Sequence, residues 1–248
     1  MHPILFEIGP LTIHSYGVML ALAFVVGIWL ATRQAKREKV PANTILDLSL
    51  VALIGGIIGA RILFVLLNLG YYSKHLFEII IFWQGGLVYY GGIILSVFCG
   101  ILFLKVRRLN IWKVVDICAP SLAIGQAIGR IGCFLNGCCF GKPISWGLKF
   151  PGHSLPVHPT QLYSSLNALI IFFILIMVRR KKKFNGELFW LYLLLYAVTR
   201  FGIEFLRGDD RGPIFFNLFS ISQLIGIGIF ILALLMFFIL RRKEVRIE

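Results

Sequence analysis

The sequence predicts an all-α membrane protein that crosses the bilayer about seven times, on three observations. Hydrophobic residues make up 58% of the 248 positions and charged residues only 15%. Apolar runs of about 20 residues recur along the whole length, the number an α-helix needs to cross a roughly 30 Å hydrocarbon core. The basic residues gather in short connectors that alternate with those runs.

The polar breaks place spans at residues 16–32, 45–69, 87–105, 113–131, 161–178, 186–206 and 218–240. No basic segment precedes the first run and no small-residue cleavage site follows it, so that run is expected to stay as a span rather than leave as a signal peptide. Arg33, Lys36, Arg37 and Lys39 follow the first span, and Lys105, Arg107, Arg108 and Lys113 join the third to the fourth. Arg179 to Lys183 follow the fifth, and Arg241, Arg242, Lys243 and Arg246 follow the last. These connectors hold 17 of the 25 basic residues, while the alternate ones hold only Lys74, Lys142, Lys149, Arg207 and Arg211. Basic residues collect on the cytoplasmic face, so the N-terminus is expected outside and the C-terminus in the cytoplasm. The whole of 1–248 is expected to form one transmembrane catalytic domain, with an extracytoplasmic loop over 132–160.

The net charge of +14 is then a signature of topology and of attraction to anionic headgroups, worth about 1 kcal/mol per cation near the surface. It is a poor sign of nucleic-acid binding, because the clusters are short, abut spans and lack interleaved aromatics.

Three arginines fall inside predicted spans: Arg61, Arg130 and Arg200. Each costs about 2.5–3.5 kcal/mol near the centre of an isolated span, so it is kept where it faces a partner or a wet cavity. Under the predicted topology all three sit in the outer half. For Arg61, snorkelling to headgroups or a helix-pinning ion pair competes with a site role.

Around Arg200, "YAVTRFGIEF" sets Tyr196, Arg200 and Glu204 four residues apart on one helical stripe. A glutamate C-terminal to its arginine meets the negative end of the helix dipole, so simple stabilisation does not explain it. Glu204 is therefore a candidate acid–base group, with a buried inter-helix ion pair as the competing reading. Tyr16, Tyr89 and Tyr90 fall at the same predicted depth, as belt anchors or as cavity lining. The loop "PGHSLPVHPTQLYSS", with His153, His158, Gln161 and Tyr163, is either a plain connector or a lid over the site.

Residues 129–141, "GRIGCFLNGCCFG", combine Arg130, Asn136 and glycines that include Gly129, Gly132 and Gly141. Arginine's planar fork binds phosphate bidentately, and N–H groups of a glycine-rich turn cradle anions. A phospholipid headgroup is the natural anion at that depth. Of the five cysteines, Cys99 and Cys118 suit packing roles within spans. Cys133, Cys138 and Cys139 remain open among free thiols, a disulfide, metal ligation and a catalytic thiol, although Cys-x4-Cys-Cys is not a standard zinc spacing.

The same residues carry a resemblance. "GRIGCFLNGCCFG" is similar to the signature Gly-Arg-x-Gly-Asn-Phe-x-Asn-x-Glu-x-x-Gly of the bacterial prolipoprotein diacylglyceryl transferase family. "HSYGVML", "GGLVYYGGI", "HPTQLY" and the Tyr196, Arg200, Glu204 triplet resemble further motifs of that family in order. The resemblance implies transfer of diacylglyceryl from phosphatidylglycerol to the lipobox cysteine of prolipoprotein signal peptides, forming a thioether and releasing glycerol phosphate. It implies a multi-pass protein of the bacterial cytoplasmic (inner) membrane, its site open to the outer leaflet, with no cofactor and no metal.

Under this resemblance Arg130, Asn136 and the backbone of Gly129, Gly132 and Gly141 take the phosphate, with His158 and Gln161 also binding substrate. Arg200 meets phosphate or developing charge, Glu204 positions Arg200, and Tyr16, Tyr90 and Tyr196 complete the catalytic set. Three positions depart from the family pattern: Cys133 stands for asparagine, Cys138 for glutamate and Tyr90 for histidine. The thiol base is then sought among Tyr90, Glu204 and His158.

The alternatives are a non-enzymatic phospholipid or anionic-solute binder or transporter, and a paralogue with a changed donor or acceptor. The halves show no self-similarity of the kind transporters carry. A protease fits worse, for neither Gly-x-Ser-x-Gly nor His-Glu-x-x-His occurs.

Overall fold

The computed structural model describes residues 2–9, 11–83, 85–151, 154–208, 214–215 and 219–245. The expectations placed on His153, Arg211 and Arg246 lie outside the described residues.

A short hairpin, β1 (Ile4–Ile8) and β2 (Leu11–His14), leads into α1 (Ser15–Arg37). Then come α2 (Ala42–Leu67), the single turn α3 (Leu69–Tyr72), α4 (Tyr89–Val106) and α5 (Ile111–Asn136). Strand β3 (Pro143–Leu148) lies in the long connector before α6 (Thr160–Arg179) and α7 (Glu187–Glu204). The two-residue strands β4 (Ile214–Phe215) and β5 (Phe219–Ser220) pair before α8 (Ile221–Val245).

The fold is thus the expected all-α multi-pass one. Among the described residues six helices, α1, α2, α4, α5, α6 and α8, are long and apolar enough to cross a membrane. Helix α7 occupies the position of the seventh expected span, and Glu187, Arg200 and Glu204 within its 18 residues keep it out of that set. Its charges are tied to protein groups: Glu187 and Glu204 are buried, and Arg200 is paired with Glu204.

Two ends differ from expectation. Helix α1 continues past residue 32 to Arg37, where Lys36 and Arg37 favour the negative end of the helix dipole. Helix α5 continues past residue 131 to Asn136, so the loop runs over 137–159. Glycine does not end an apolar helix as reliably as it ends a soluble one.

The chain divides into two compact units, Thr32–Val114 and the combination of Met1–Ala31 with Val115–Glu248. In the unit Thr32–Val114, α2 packs on α4 through small residues. A Cβ placed on Gly59 would overlap the Gly91 carbonyl, and one on Gly91 would overlap that of Gly59. The Ser96 hydroxyl also donates to the Ala52 carbonyl. Close backbone approach through small residues is the main source of helix association where lipid is as apolar as leucine.

Arg61 extends from this α2 interface and is 8% exposed. Its Nε donates to the Ile79 carbonyl at 2.8 Å, its Nη1 to the Gly85 and Gly86 carbonyls at 3.0 and 3.1 Å, and its Nη2 to the Glu78 carbonyl at 2.5 Å. The hydroxyl of Tyr72 accepts a further bond at 3.3 Å, and the guanidinium lies over the Phe64 and Tyr72 rings. Arg61 therefore does not snorkel and, among the described residues, pairs with no carboxylate; it binds the connector between α3 and α4. Gly86, at φ +74, is required there, since a Cβ would sit 2.7 Å from Arg61 Nη1.

In the other unit, α5, α6 and α7 share a core of Ala119, Ala123, Ile171, Leu175, Leu188 and Tyr192. Asp116 of α5, 1% exposed, accepts from the Gly186 N–H at 2.7 Å and the Phe189 N–H at 2.9 Å, and pairs with Lys182 at 3.5 Å. It thus caps the N-terminus of α7 from a neighbouring helix, where free N–H groups favour an anion.

Candidate functional site

Helix α5 delivers Arg130 and Gly132 in its final turns and ends on Asn136. Because the helix persists to Asn136, the N–H groups of Gly129 and Gly132 belong to the helical ladder rather than to an anion-cradling turn. This corrects the glycine-cradle expectation for those two residues. Gly132 instead admits α1: a Cβ there would lie 2.9 Å from the Met19 Cβ and 3.4 Å from the Tyr16 ring. Gly129 has open space around it. Tyr16 is 41% exposed and lies within electrostatic reach of Arg130 and of Cys133, Cys138 and Cys139.

The Arg130 side chain is half-buried and, among the described residues, makes no hydrogen bond and no ion pair. A guanidinium in an apolar helix without a protein counter-charge has its donors free to bind an anion.

Beyond Asn136 the chain turns sharply through Gly137 (φ +77) and Cys139 (φ +67). The Cys138 N–H donates to the Cys133 carbonyl at 3.2 Å. From the first turn of α6, Thr160 Oγ1 donates to the Cys139 carbonyl at 2.7 Å and Gln161 Nε2 to the Cys138 carbonyl at 2.6 Å. Gln161 is 1% exposed, and its Oε1 has no hydrogen-bond partner among the described residues. Its amide N–H thus braces the loop directly. The Cys138 thiol donates to the Cys133 carbonyl at 3.7 Å. The three sulfurs lie within 4.8 Å of one another, and all five cysteines are free. Hydrogen bonds with Cys133 and Cys138, followed by the Arg207 guanidinium, hold the Cys139 thiol well below its ordinary pKa.

Gly141 sits where three segments cross. Its N–H donates to the His158 carbonyl at 2.8 Å, and a Cβ would lie 2.5 Å from both the His158 Cβ and the Leu206 carbonyl. Its N–H is therefore not available to a ligand either. Lys142 N–H donates to the Leu206 carbonyl at 2.9 Å, and Gly141 bridges Arg207. This seam ties the cysteine loop to the chain leaving α7. His158 Nδ1 lies 3.3 Å from the Tyr163 hydroxyl, and its ring meets Trp146 edge-on.

On α7, Arg200 Nη2 pairs with Glu204 Oε2 at 2.6 Å, and Ser220 Oγ donates to Glu204 Oε1 at 3.1 Å. Both carboxylate oxygens of Glu204 are thereby engaged, which suits holding Arg200 better than taking a proton. Tyr196 stacks on Tyr192, whose hydroxyl donates to Gln126 Oε1 at 3.3 Å. Tyr90, 45% exposed at the start of α4, belongs to the other unit.

Sequence reasoning missed Arg207, counted as a connector cation but 6% exposed and bonded to Cys139. It also passed over Asp116, whose position inside a predicted span was the available signal.

The family model for prolipoprotein diacylglyceryl transferase matches residues 3–239. A phosphatidylglycerol–prolipoprotein diacylglyceryl transferase of Geobacillus kaustophilus is 40% identical, covering 96% of this chain and 92% of its own. Proteins of the same name from Finegoldia magna and Clostridium tetani are 40% and 35% identical, covering 93% and 98% of this chain and 92% and 100% of theirs. On this match and these relatives, the chain belongs to the prolipoprotein diacylglyceryl transferase family.

Proposed function

We propose that this protein transfers the diacylglyceryl group of phosphatidylglycerol to the lipobox cysteine of a prolipoprotein signal peptide. The peptide's thiolate attacks the glyceryl carbon that carries the phosphate ester, a C–S bond forms and the C–O bond breaks. Glycerol phosphate leaves with the electron pair, and the thiol proton passes to a base. Charge builds on the phosphate as the bond breaks, so preorganised cations there lower the barrier.

The observation that carries this reading is Arg130, a half-buried guanidinium in an apolar helix with no ion pair among the described residues. It takes the phosphate, with Asn136 at the same helix end. Arg200, held by Glu204 at 2.6 Å, meets developing charge. Tyr16 borders the Arg130 turn, and Tyr196, His158 and Gln161 line or brace the substrate path. One catalytic domain in the bacterial cytoplasmic membrane, with seven spans, an outward N-terminus and a site open to the outer leaflet, completes the reading. The 17 basic residues on one set of connectors support that orientation.

The test incubates the purified protein with phosphatidylglycerol and a lipobox peptide and measures the peptide's mass. A diacylglyceryl increment on the cysteine, accompanied by glycerol phosphate, is expected. An unmodified peptide, under conditions where a family relative modifies it, refutes the reading.

A further inference from the structure

Three cysteines converge at the end of α5. Cys133 comes from the last helical turn, and Cys138 and Cys139 come from the loop that follows. Their sulfurs all lie within 4.8 Å of one another, each residue is half-buried, and none is in a disulfide. Neighbouring side chains ordinarily diverge along an extended chain. The left-handed conformation of Cys139, uncommon for a residue with a side chain, lets Cys138 and Cys139 serve one point. The bonds from Thr160 and Gln161 to the two loop carbonyls hold that conformation in place.

Packing does not explain this arrangement, because small buried thiols need no strained backbone and no shared focus. Thiolates are soft ligands that select zinc-class and other thiophilic ions, and among the described residues no carboxylate joins the set to favour magnesium or calcium. Zinc–sulfur bonds of about 2.3 Å place ligand sulfurs about 4 Å apart, which small side-chain rotations reach from the observed cluster. Three thiolates on a divalent ion leave one negative charge. The Arg207 guanidinium, buried and bonded to Cys139, is placed to balance it. Among the described residues no histidine or carboxylate joins the set, so a fourth position is left for water or an incoming ligand.

We propose that Cys133, Cys138 and Cys139 form a three-thiolate site for a thiophilic d10 cation, of which zinc is the representative. Binding displaces the thiol protons to solvent and leaves sulfur and metal oxidation states unchanged. The site is separate from the transferase reading, since it is tested by binding alone.

The experiment uses the full chain in detergent, reduced, stripped of metal by a chelator and kept free of oxygen. Titration with Cd2+ should raise an ultraviolet thiolate-to-metal charge-transfer band that saturates at one ion per chain and is displaced by Zn2+. The band should fall at least tenfold in the Cys133→Ser, Cys138→Ser, Cys139→Ser variant and persist in Cys99→Ser, Cys118→Ser. A second measurement needs no variant: one equivalent of Zn2+ should protect Cys133, Cys138 and Cys139, but not Cys99 or Cys118, from alkylation as mapped by peptide mass. No saturable band, a band that survives the triple substitution, or alkylation unchanged by Zn2+ would each overturn the site.

Discussion

Arg61 and Arg130 pose the same problem to an apolar helix and solve it in opposite ways. Arg61 is enclosed by four backbone carbonyls and a tyrosine hydroxyl, each within 3.3 Å. Arg130 is half-buried and has no such set among the described residues. The first guanidinium is satisfied by the fold and therefore holds the connector between α3 and α4. The second is positioned by the fold but left unsatisfied by it, which is what a receptor for a phosphate requires. Charge in a membrane helix is thus not by itself a mark of function; the distinction lies in whether the protein completes the coordination.

The sharpest way to break this contrast is to remove each arginine in turn. Arg130→Ala should lower diacylglyceryl transfer by about 100-fold or more, the scale of losing one preorganised donor to developing charge. Its thermal midpoint in detergent should stay close to wild type, because no hydrogen bond or ion pair to the described residues is lost. Arg61→Ala should do the reverse, costing about 3–5 kcal/mol by leaving buried carbonyls without donors, read as a large drop in thermal midpoint. Equal destabilisation by both substitutions would erase the distinction.

Asp116→Ala extends the contrast to a buried anion that is already satisfied. Its carboxylate receives the Gly186 and Phe189 N–H groups and Lys182. Loss of that cap should cost about 2–4 kcal/mol, lowering the thermal midpoint without changing the KM for phosphatidylglycerol at a temperature where the variant is folded. A raised KM with an unchanged midpoint would move Asp116 into the site.

A smaller effect is expected on α7. Glu204→Gln keeps an oxygen for Ser220 but removes the charge that holds Arg200 at 2.6 Å. Transfer should fall about 10-fold through kcat, with little change in the pH profile, as suits a positioning residue. A profile that loses its acidic limb in this variant would make Glu204 the proton acceptor instead.

Much of this is legible in the sequence. An intramembrane arginine beside an amide, and a Tyr196, Arg200, Glu204 stripe, carry their meaning in type and spacing, and the ion pair on α7 is a local helical contact. What was not legible depends on the chain folding back on itself. Arg207 reads as a connector cation until Gly141 bridges it, and the common focus of three cysteines depends on the left-handed turn at Cys139. The glycine-rich stretch misled for a different reason. Glycines in that pattern predict a turn, whereas helical hydrogen bonds are strong in apolar surroundings and carry α5 through Gly129 and Gly132 to Asn136.

That last point yields the mildest and most discriminating pair of substitutions. A methyl group at Gly129 meets nothing within 4 Å, whereas one at Gly132 meets Met19 Cβ at 2.9 Å. If the glycines serve helix packing, Gly129→Ala should be neutral or stabilise by about 0.5–1 kcal/mol through helix propensity, with transfer unchanged. Gly132→Ala should destabilise by about 1–3 kcal/mol as α1 is pushed from α5. If a phosphate must instead approach the backbone at Gly129, the methyl group would block it and transfer would fall while stability held. Parallel measurement of thermal midpoint and turnover separates the two. The first outcome leaves Arg130 and Asn136 to hold the phosphate by their side chains alone, and the second restores the backbone as a third contributor.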